Sequence, residues 1–409
     1  MDLNPLKGMR DFTPDDMIIR QNVIEKAKRI FEKNGFDPFE TPAIESLNVL
    51  QGKYGNDEKL IWKFKDLGNR DVALRYDLTV PLSRFISKMK RIPMPFKRYQ
   101  IGRAWRYDNP QKGRYREFWQ CDIDTVGTKD VYADAEILKV IYESLKSFEF
   151  DNFIIRINNR KLSDGILEYC GVPKNKVKDV LRSIDKIDKM GIKYVVNELI
   201  EKGFDGNNII DVISKDISQL PELNQIGKEG LKELNEIVDY LKIMNVPEKN
   251  FKLDLTVARG LDYYTGMVYE VIIPDTGVGS VSGGGRYDNL IGRFLGKDIP
   301  AVGGSLGLER IIDVLKERKF PKTKKDILLI PIKINKKDVI EILEKLREKY
   351  NVDISLKKDI SKGMQYASSV GIKYVCLVGK TELDKKVIKL KNLETGEERE
   401  MKPDKVKLF

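Results

Sequence analysis

The chain has 409 residues, 41% hydrophobic and 33% charged, with a formal net charge of +11 and no histidine. That length exceeds one ordinary core, so two or three domains are expected, and the composition is that of a folded globular protein. Lack of histidine excludes Ser-His-Asp and Cys-His catalysis, His-ligated zinc and an imidazole general base. Chemistry must run on Arg, Lys, Tyr, carboxylates, backbone and exogenous metal, which phosphoryl or nucleotidyl transfer tolerates because positioning and charge stabilisation dominate there.

The positive charge suits a polyanion such as nucleic acid, and equally a lysine-rich surface of the thermophile kind. Cys121, Cys170 and Cys376 are far apart and form no CxxC pair, so they read as reduced intracellular thiols. There is no apolar run of about 18 residues, and the first residues lack the charged and apolar segments of a signal peptide. No membrane partner and a cytoplasmic location are therefore expected.

Thr13-Pro14-Asp15-Asp16 predicts a helix start, with Thr as N-cap, Pro at N1 and acids in the first turn. The helix should run to about Asn34, with Gly35 past its end. FDPFETPAIE carries two prolines, which confine it to an edge strand or a strand start; it suits a dimer surface or simple edge protection. Asp71–Tyr76 reads as a strand turning into the helix of PLSRFISKM. At that junction Asp77 and Thr79 offer a carboxylate and a hydroxyl for an ammonium group; Thr79 also suits the N-cap, leaving Asp77 free.

Phe96 to Gly127 reads as a long antiparallel hairpin turned at Asp108–Gly113. Arg98, Arg103 and Arg106 lie on its first arm, and Arg114, Arg116, Phe118 and Gln120 on its second. Arginine forks match phosphate oxygens and Phe118 offers a face for stacking, so the hairpin is a candidate nucleotide-phosphate site. Val131–Phe148 is periodic as an amphipathic helix, Phe153–Ile157 is a strand, and 161–245 is helical with Gly- or Pro-marked breaks. Strand character returns at Phe251–Thr256. Tyr263 and Tyr264, beside Arg259 and Asp262, suit either a polar pocket or packing within a sheet. Gly283-Gly284-Gly285 allows close approach of a ligand or another strand. AVGGSLGLERIIDVL is a Gly-rich strand entering a helix with Arg310 in its first turns, fit for a phosphate or base or for simple packing. After a charged linker at 316–325, strands alternate with helices as in a small α/β domain. Gly379-Lys380-Thr381 looks like the end of a phosphate loop, but the required earlier glycine is Tyr374 and LDKKVIKL reads as strand. The last segment reads as a hairpin turned at Thr395-Gly396.

Taken together, these pieces resemble the class II aminoacyl-tRNA synthetases, and among them the histidyl-tRNA synthetase family. FETPAIE resembles motif 1, the hairpin motif 2, and GSLGLERI motif 3. RGLDYYTG and SGGGRYDNL resemble segments specific to the histidyl enzymes, and DLTVP the amino-acid-binding segment. Tyr107 departs from the histidine that many members carry there; no assigned role rests on it. The resemblance implies an α+β catalytic domain with a mixed, mainly antiparallel six-stranded sheet (1–160 and 246–318), a helical insertion domain (161–245) and a C-terminal α/β anticodon-binding domain (325–409). It also implies a homodimer, with ATP, L-histidine and tRNA(His) as partners.

The implied reaction joins L-histidine to tRNA(His) through histidyl-adenylate. By resemblance, Asp77, Thr79 and Gln120 hold the α-amino group, and Asp124 with Tyr263 and Tyr264 forms the imidazole pocket. Arg106 and Arg259 act on the α-phosphate, and Phe118 and Arg310 stack on adenine. Gln111 and Lys112 approach the acceptor stem, and Mg2+ arrives with ATP. The alternative is a synthetase-like regulatory subunit of ATP phosphoribosyltransferase, in which catalytic motifs decay and the last domain is lost.

Overall fold

The computed structural model describes residues 3–89, 91–111, 113–258, 263–318, 320–357 and 359–409. Internal contacts divide the chain into two units, Met1–Arg10 with Val23–Leu315, and Asp11–Asn22 with Lys316–Phe409.

The first unit contains β1 (Asp37–Pro38), β2 (Ile44–Ser46), β3 (Lys63–Lys65), β4 (Asp71–Leu74), β5 (Phe96–Trp105), β6 (Glu117–Val126), β7 (Ile154–Asn159), β8 (Phe251–Leu253), β9 (Met267–Ile272), β10 (Ser282–Arg286) and β11 (Ala301–Gly307). The main sheet has eight strands, in the order β1-β5-β6-β11-β10-β9-β7-β8. This corrects the expected six. The inner six run antiparallel to their neighbours, while β1 and β8 add in parallel at the two edges. Both edge strands are too short to leave a two-residue periodicity in the sequence. The proline-bearing segment breaks in two: β1 borders the main sheet and β2 borders a separate three-stranded sheet, β2-β4-β3. Its prolines sit where a missing N–H costs no ladder bond.

The helix Pro14–Lys33 ends before Gly35, which takes φ +78°. The helix Tyr132–Ser147 buries Ile137, Leu138 and Ile141. Residues 160–243 form six α-helices: Arg160–Tyr169, Val177–Ile184, Ile187–Met190, Ile192–Glu201, Gly206–Ile213 and Gln225–Ile243. Three of them start on side-chain caps, Asn159, Asp205 and Asn224, each accepting a backbone N–H, as short polar residues at N-caps do. One core cluster combines Leu50, Tyr54, Tyr76, Val80, Tyr263, Tyr287 and Leu290, and it supports the wall of the site described below.

The second unit holds β12 (Ile327–Pro331), β13 (Val352–Ile354), β14 (Tyr374–Val378), β15 (Ile388–Asn392) and β16 (Glu398–Met401). They form one sheet, β13-β12-β14-β15-β16, parallel across the first three and antiparallel over the last two. The C-terminal hairpin turns through Gly396 at φ +76°. Of LDKKVIKL, read as strand, the first residues instead end a short helix, Lys380–Lys385, and the last ones open β15; a helix does follow Gly379, so the phosphate-loop reading fails on Tyr374. Among the described residues no helix is long and apolar enough to cross a membrane.

Candidate active site

The arms β5 and β6 pair in the register Arg98↔Asp124, Gln100↔Asp122, Gly102↔Gln120 and Ala104↔Phe118. Side chains alternate faces along a strand, so these residues share one face, with Arg106 continuing it. On the far side of β6, β11 sets Gly303, Ser305 and Gly307 opposite Asp124, Asp122 and Gln120. A row of polar side chains therefore runs beside a floor of small residues. The lack of a side chain is required at Gly303, where a Cβ would fall 2.0 Å from Asp124 Oδ1.

This face forms the floor of a cavity of about 810 Å³ lined by Asp77, Thr79, Arg106, Phe118, Gln120, Asp124, Tyr263, Tyr264 and Arg310, with others. The expected amino-acid and nucleotide residues thus come together, apart from Arg259, which lies outside the described residues along with Lys112. Gln111 sits apart on the exposed hairpin tip, where its N–H donates to the carbonyl of Arg114 at 3.0 Å and its own carbonyl accepts from Arg114 at 2.8 Å.

At one end of the cavity the expectation that Thr79 caps the helix and leaves Asp77 free is corrected. Leu78 holds the N-cap position of the helix Thr79–Lys88, and it is Asp77 whose Oδ1 accepts the Val80 N–H at 3.0 Å and the Tyr54 hydroxyl at 3.0 Å. Burial pushes the Asp77 carboxyl up, against the pull of the Val80 N–H and the Arg106 charge. Asp124 is 2% exposed; it pairs with Arg98 at 2.7 Å and accepts from the Tyr287 hydroxyl. Burial raises it to about 6 while Arg98 and Tyr287 pull it down. Asp122 is raised to about 7, by burial first and by the neighbouring Asp124, with Arg98 opposing. Gln120 Nε2 lies 3.4 and 3.5 Å from the two Asp122 oxygens, and its Oε1 is buried without a hydrogen-bond partner, an acceptor ready for an ammonium group.

At the other end, Arg106 Nε donates to the Tyr76 carbonyl at 3.1 Å. Its guanidinium carbon stands 4.4 Å from the Tyr76 ring centre and 5.1 Å from that of Phe118, within cation–π range. Arg310 Nη1 donates to the Ser280 carbonyl at 2.5 Å. A further wall comes from the helical stretch: Arg156 on β7 pairs with Asp254 and Glu270, each at 2.8 Å, and with Asp188 of the helix Ile187–Met190, and Arg156, Asp188 and Lys189 line the same cavity.

The hairpin arginines do not all serve phosphate. Arg98 is fully buried, Arg103 points to the opposite face beside Glu117 at 3.4 Å, and Arg116 lies over Tyr107. Arg106 and Arg114 are the two that line the cavity. Sequence reasoning gave no role to Asp122, Tyr54, Arg156 or Tyr287. The signal for Arg98 and Asp122 was strand parity: both lie an even number of residues from members of the site on the same arm.

Three carboxyls, Asp122, Asp124 and Asp134, rise from 3.8 to about 7, 6 and 6 as a result of burial. Groups raised in the folded state stabilise it fully below the unfolded value and lose that contribution as pH climbs through the folded one. The melting temperature is therefore expected to fall from about pH 4 to about pH 7, measured by calorimetry, with no histidine to mask it. A flat profile would contradict the burial of these acids.

A family model described as histidyl-tRNA synthetase matches residues 8–311, and one described as an anticodon binding domain matches residues 326–408. The chain is 41% identical to the histidine–tRNA ligase of Clostridium tetani over 97% of this chain and 95% of that protein. It is 38% identical to that of Korarchaeum cryptofilum over 94% and 93%. It superposes on the crystal structure of histidyl-tRNA synthetase from Nostoc sp. PCC 7120 with a TM-score of 0.87 at 30% identity, covering 99% of this chain and 98% of that one. Carrying both the catalytic and the anticodon-binding part along its length, the chain belongs to the histidyl-tRNA synthetase family.

Proposed function

We infer that this chain ligates L-histidine to tRNA(His) by way of histidyl-adenylate. The observation that carries the reading is the single polar row from Arg106 and Phe118 through Gln120 to Asp124 along one cavity. It offers a cation and an aromatic face to a nucleotide at one end and buried acceptors to an amino acid at the other. The curated relatives from Clostridium tetani and Korarchaeum cryptofilum, which share the chain's length, are named as ligases, so the regulatory-subunit reading is not favoured.

In this reading the histidine carboxylate attacks the α-phosphorus of ATP and pyrophosphate leaves. The nucleophile belongs to the substrate, so the protein contributes position and charge. Arg106 neutralises the α-phosphate, with Arg259 assigned the same task by its motif. Phe118 and Arg310 hold adenine between them. Asp77, Thr79 and the open Oε1 of Gln120 take the α-ammonium group. Asp124 and Tyr264, with Tyr263 packed behind at 4.9 Å between ring centres, offer an acceptor and a hydroxyl to the two imidazole nitrogens. An apolar isostere would leave these polar groups unpaired, which discriminates strongly against it. Mg2+ enters as part of the substrate, on the phosphate oxygens it prefers. Gln111 and Lys112 are assigned to the tRNA acceptor stem and the second unit to the anticodon. A homodimer through the motif 1 segment and a cytoplasmic location complete the proposal.

The expected result is that the purified protein exchanges labelled pyrophosphate into ATP only when L-histidine is present. Exchange without histidine, or equal exchange with another amino acid, would remove the assignment.

A further inference from the structure

We propose that Arg98 is the positioning residue of the amino-acid pocket, holding Asp124 as a carboxylate for the imidazole of bound histidine. The proposal rests on the histidine reading above and adds to it a residue that does not touch the substrate.

Arg98 has 0% exposure. Its Nη2 lies 2.7 Å from Asp124 Oδ2 and 3.1 Å from the Leu78 carbonyl, to which it donates. Leu78 stands between Asp77 and Thr79, so one guanidinium ties the imidazole end of the pocket to the ammonium end. Its Nε and Nη1 are buried with no hydrogen-bond partner. A buried ion pair with open donors is a poor stabilising device, and apolar residues of similar volume commonly do as well or better. The arrangement makes sense for charge control.

The groups around Asp124 make the need plain. Asp122 lies two residues along the same strand, Asp77 precedes the helix Thr79–Lys88, and the Tyr287 hydroxyl donates from the end of β10. Three carboxylates are thus gathered in a region with little water. Arg98 is a permanent cation placed directly opposite Asp124 in the strand register, and it opposes the effect of burial on both Asp122 and Asp124. Without it, Asp124 takes up a proton and ceases to be a full acceptor for an imidazole N–H. Removing an opposite charge at contact distance shifts a carboxyl by about 1–3 pH units.

The test uses Arg98→Gln and Arg98→Lys in the full-length protein, with folding checked by circular dichroism and melting. The KM for histidine and for ATP are read in pyrophosphate exchange from pH 6 to 9. The proposal expects Arg98→Gln to raise the histidine KM about tenfold or more at pH 7, to recover toward pH 9 as Asp124 ionises, and to leave the ATP KM within about twofold. Arg98→Lys, which keeps the charge, should stay within about fivefold of the parent with its pH profile in place. A folded Arg98→Gln with the parent's histidine profile overturns the proposal, as does a parallel, pH-independent rise in both KM values. If Arg98→Gln does not fold, Arg98→Lys decides alone: a histidine profile displaced to higher pH overturns it. Failure of the parent protein to use histidine at all would instead overturn the functional reading.

Discussion

Arg106→Ala is expected to lower kcat/KM for histidine-dependent pyrophosphate exchange about a thousandfold, with the protein still folded. Arg106 is held from behind: its Nε is fixed on the Tyr76 carbonyl, and its plane lies near the Tyr76 and Phe118 rings. The Nη groups are thereby preset toward the cavity before substrate arrives. A preorganised cation costs little to reorient when charge builds on the α-phosphate, and a thousandfold corresponds to about 4 kcal/mol of transition-state stabilisation. Arg106→Lys should recover little of the loss, because an ammonium cannot span two phosphate oxygens or stack on Phe118. A loss below about tenfold in the alanine variant would mean that another group carries the α-phosphate.

The second large effect is structural. Gly284→Ala is expected to destabilise the first unit by roughly 3 kcal/mol, at the upper end of what overpacking usually costs, or to leave no soluble product. Gly284 pairs with Gly304 on one side and Tyr269 on the other. A Cβ there would meet the Gly303 carbonyl oxygen at 2.1 Å and the Gly304 Cα at 2.6 Å. Both are backbone atoms of β11, so no side chain can swing aside; two central strands would have to part, and with them Gly303 and the seat of Asp124. Denaturant unfolding measures the change, and a variant as stable as the parent would show that the strands can yield.

What could be read beforehand follows the strength of local signals. The hairpin arms were legible because long paired runs flank a turn whose Gly113 needs φ +70°, and the helix Pro14–Lys33 because its cap, proline and terminal glycine agree. The sheet count was not, since β1 and β8 are held by neighbours rather than by their own residues. Asp77 and Thr79, two residues apart, could each offer an oxygen to the helix start, and only backbone geometry decides which one does. Arg98 was misread for a related reason. It was read as a fork for phosphate, and only the pairing with Asp124 across the strands reveals why this one is inside.

The strand order has a further consequence, for synthesis on the ribosome. β6 ends at Val126, and the strand that completes its other side, β11, begins at Ala301. Some 175 residues, including all six α-helices of 160–243, emerge between them. At about 5–20 residues per second that is an interval of roughly 10–35 s. Throughout it the nascent chain presents an unpaired β6 edge and the buried acids Asp122 and Asp124 without their cover. Translation through the helical stretch therefore sets how long the half-built sheet must be shielded, and slow codons there would lengthen the exposure.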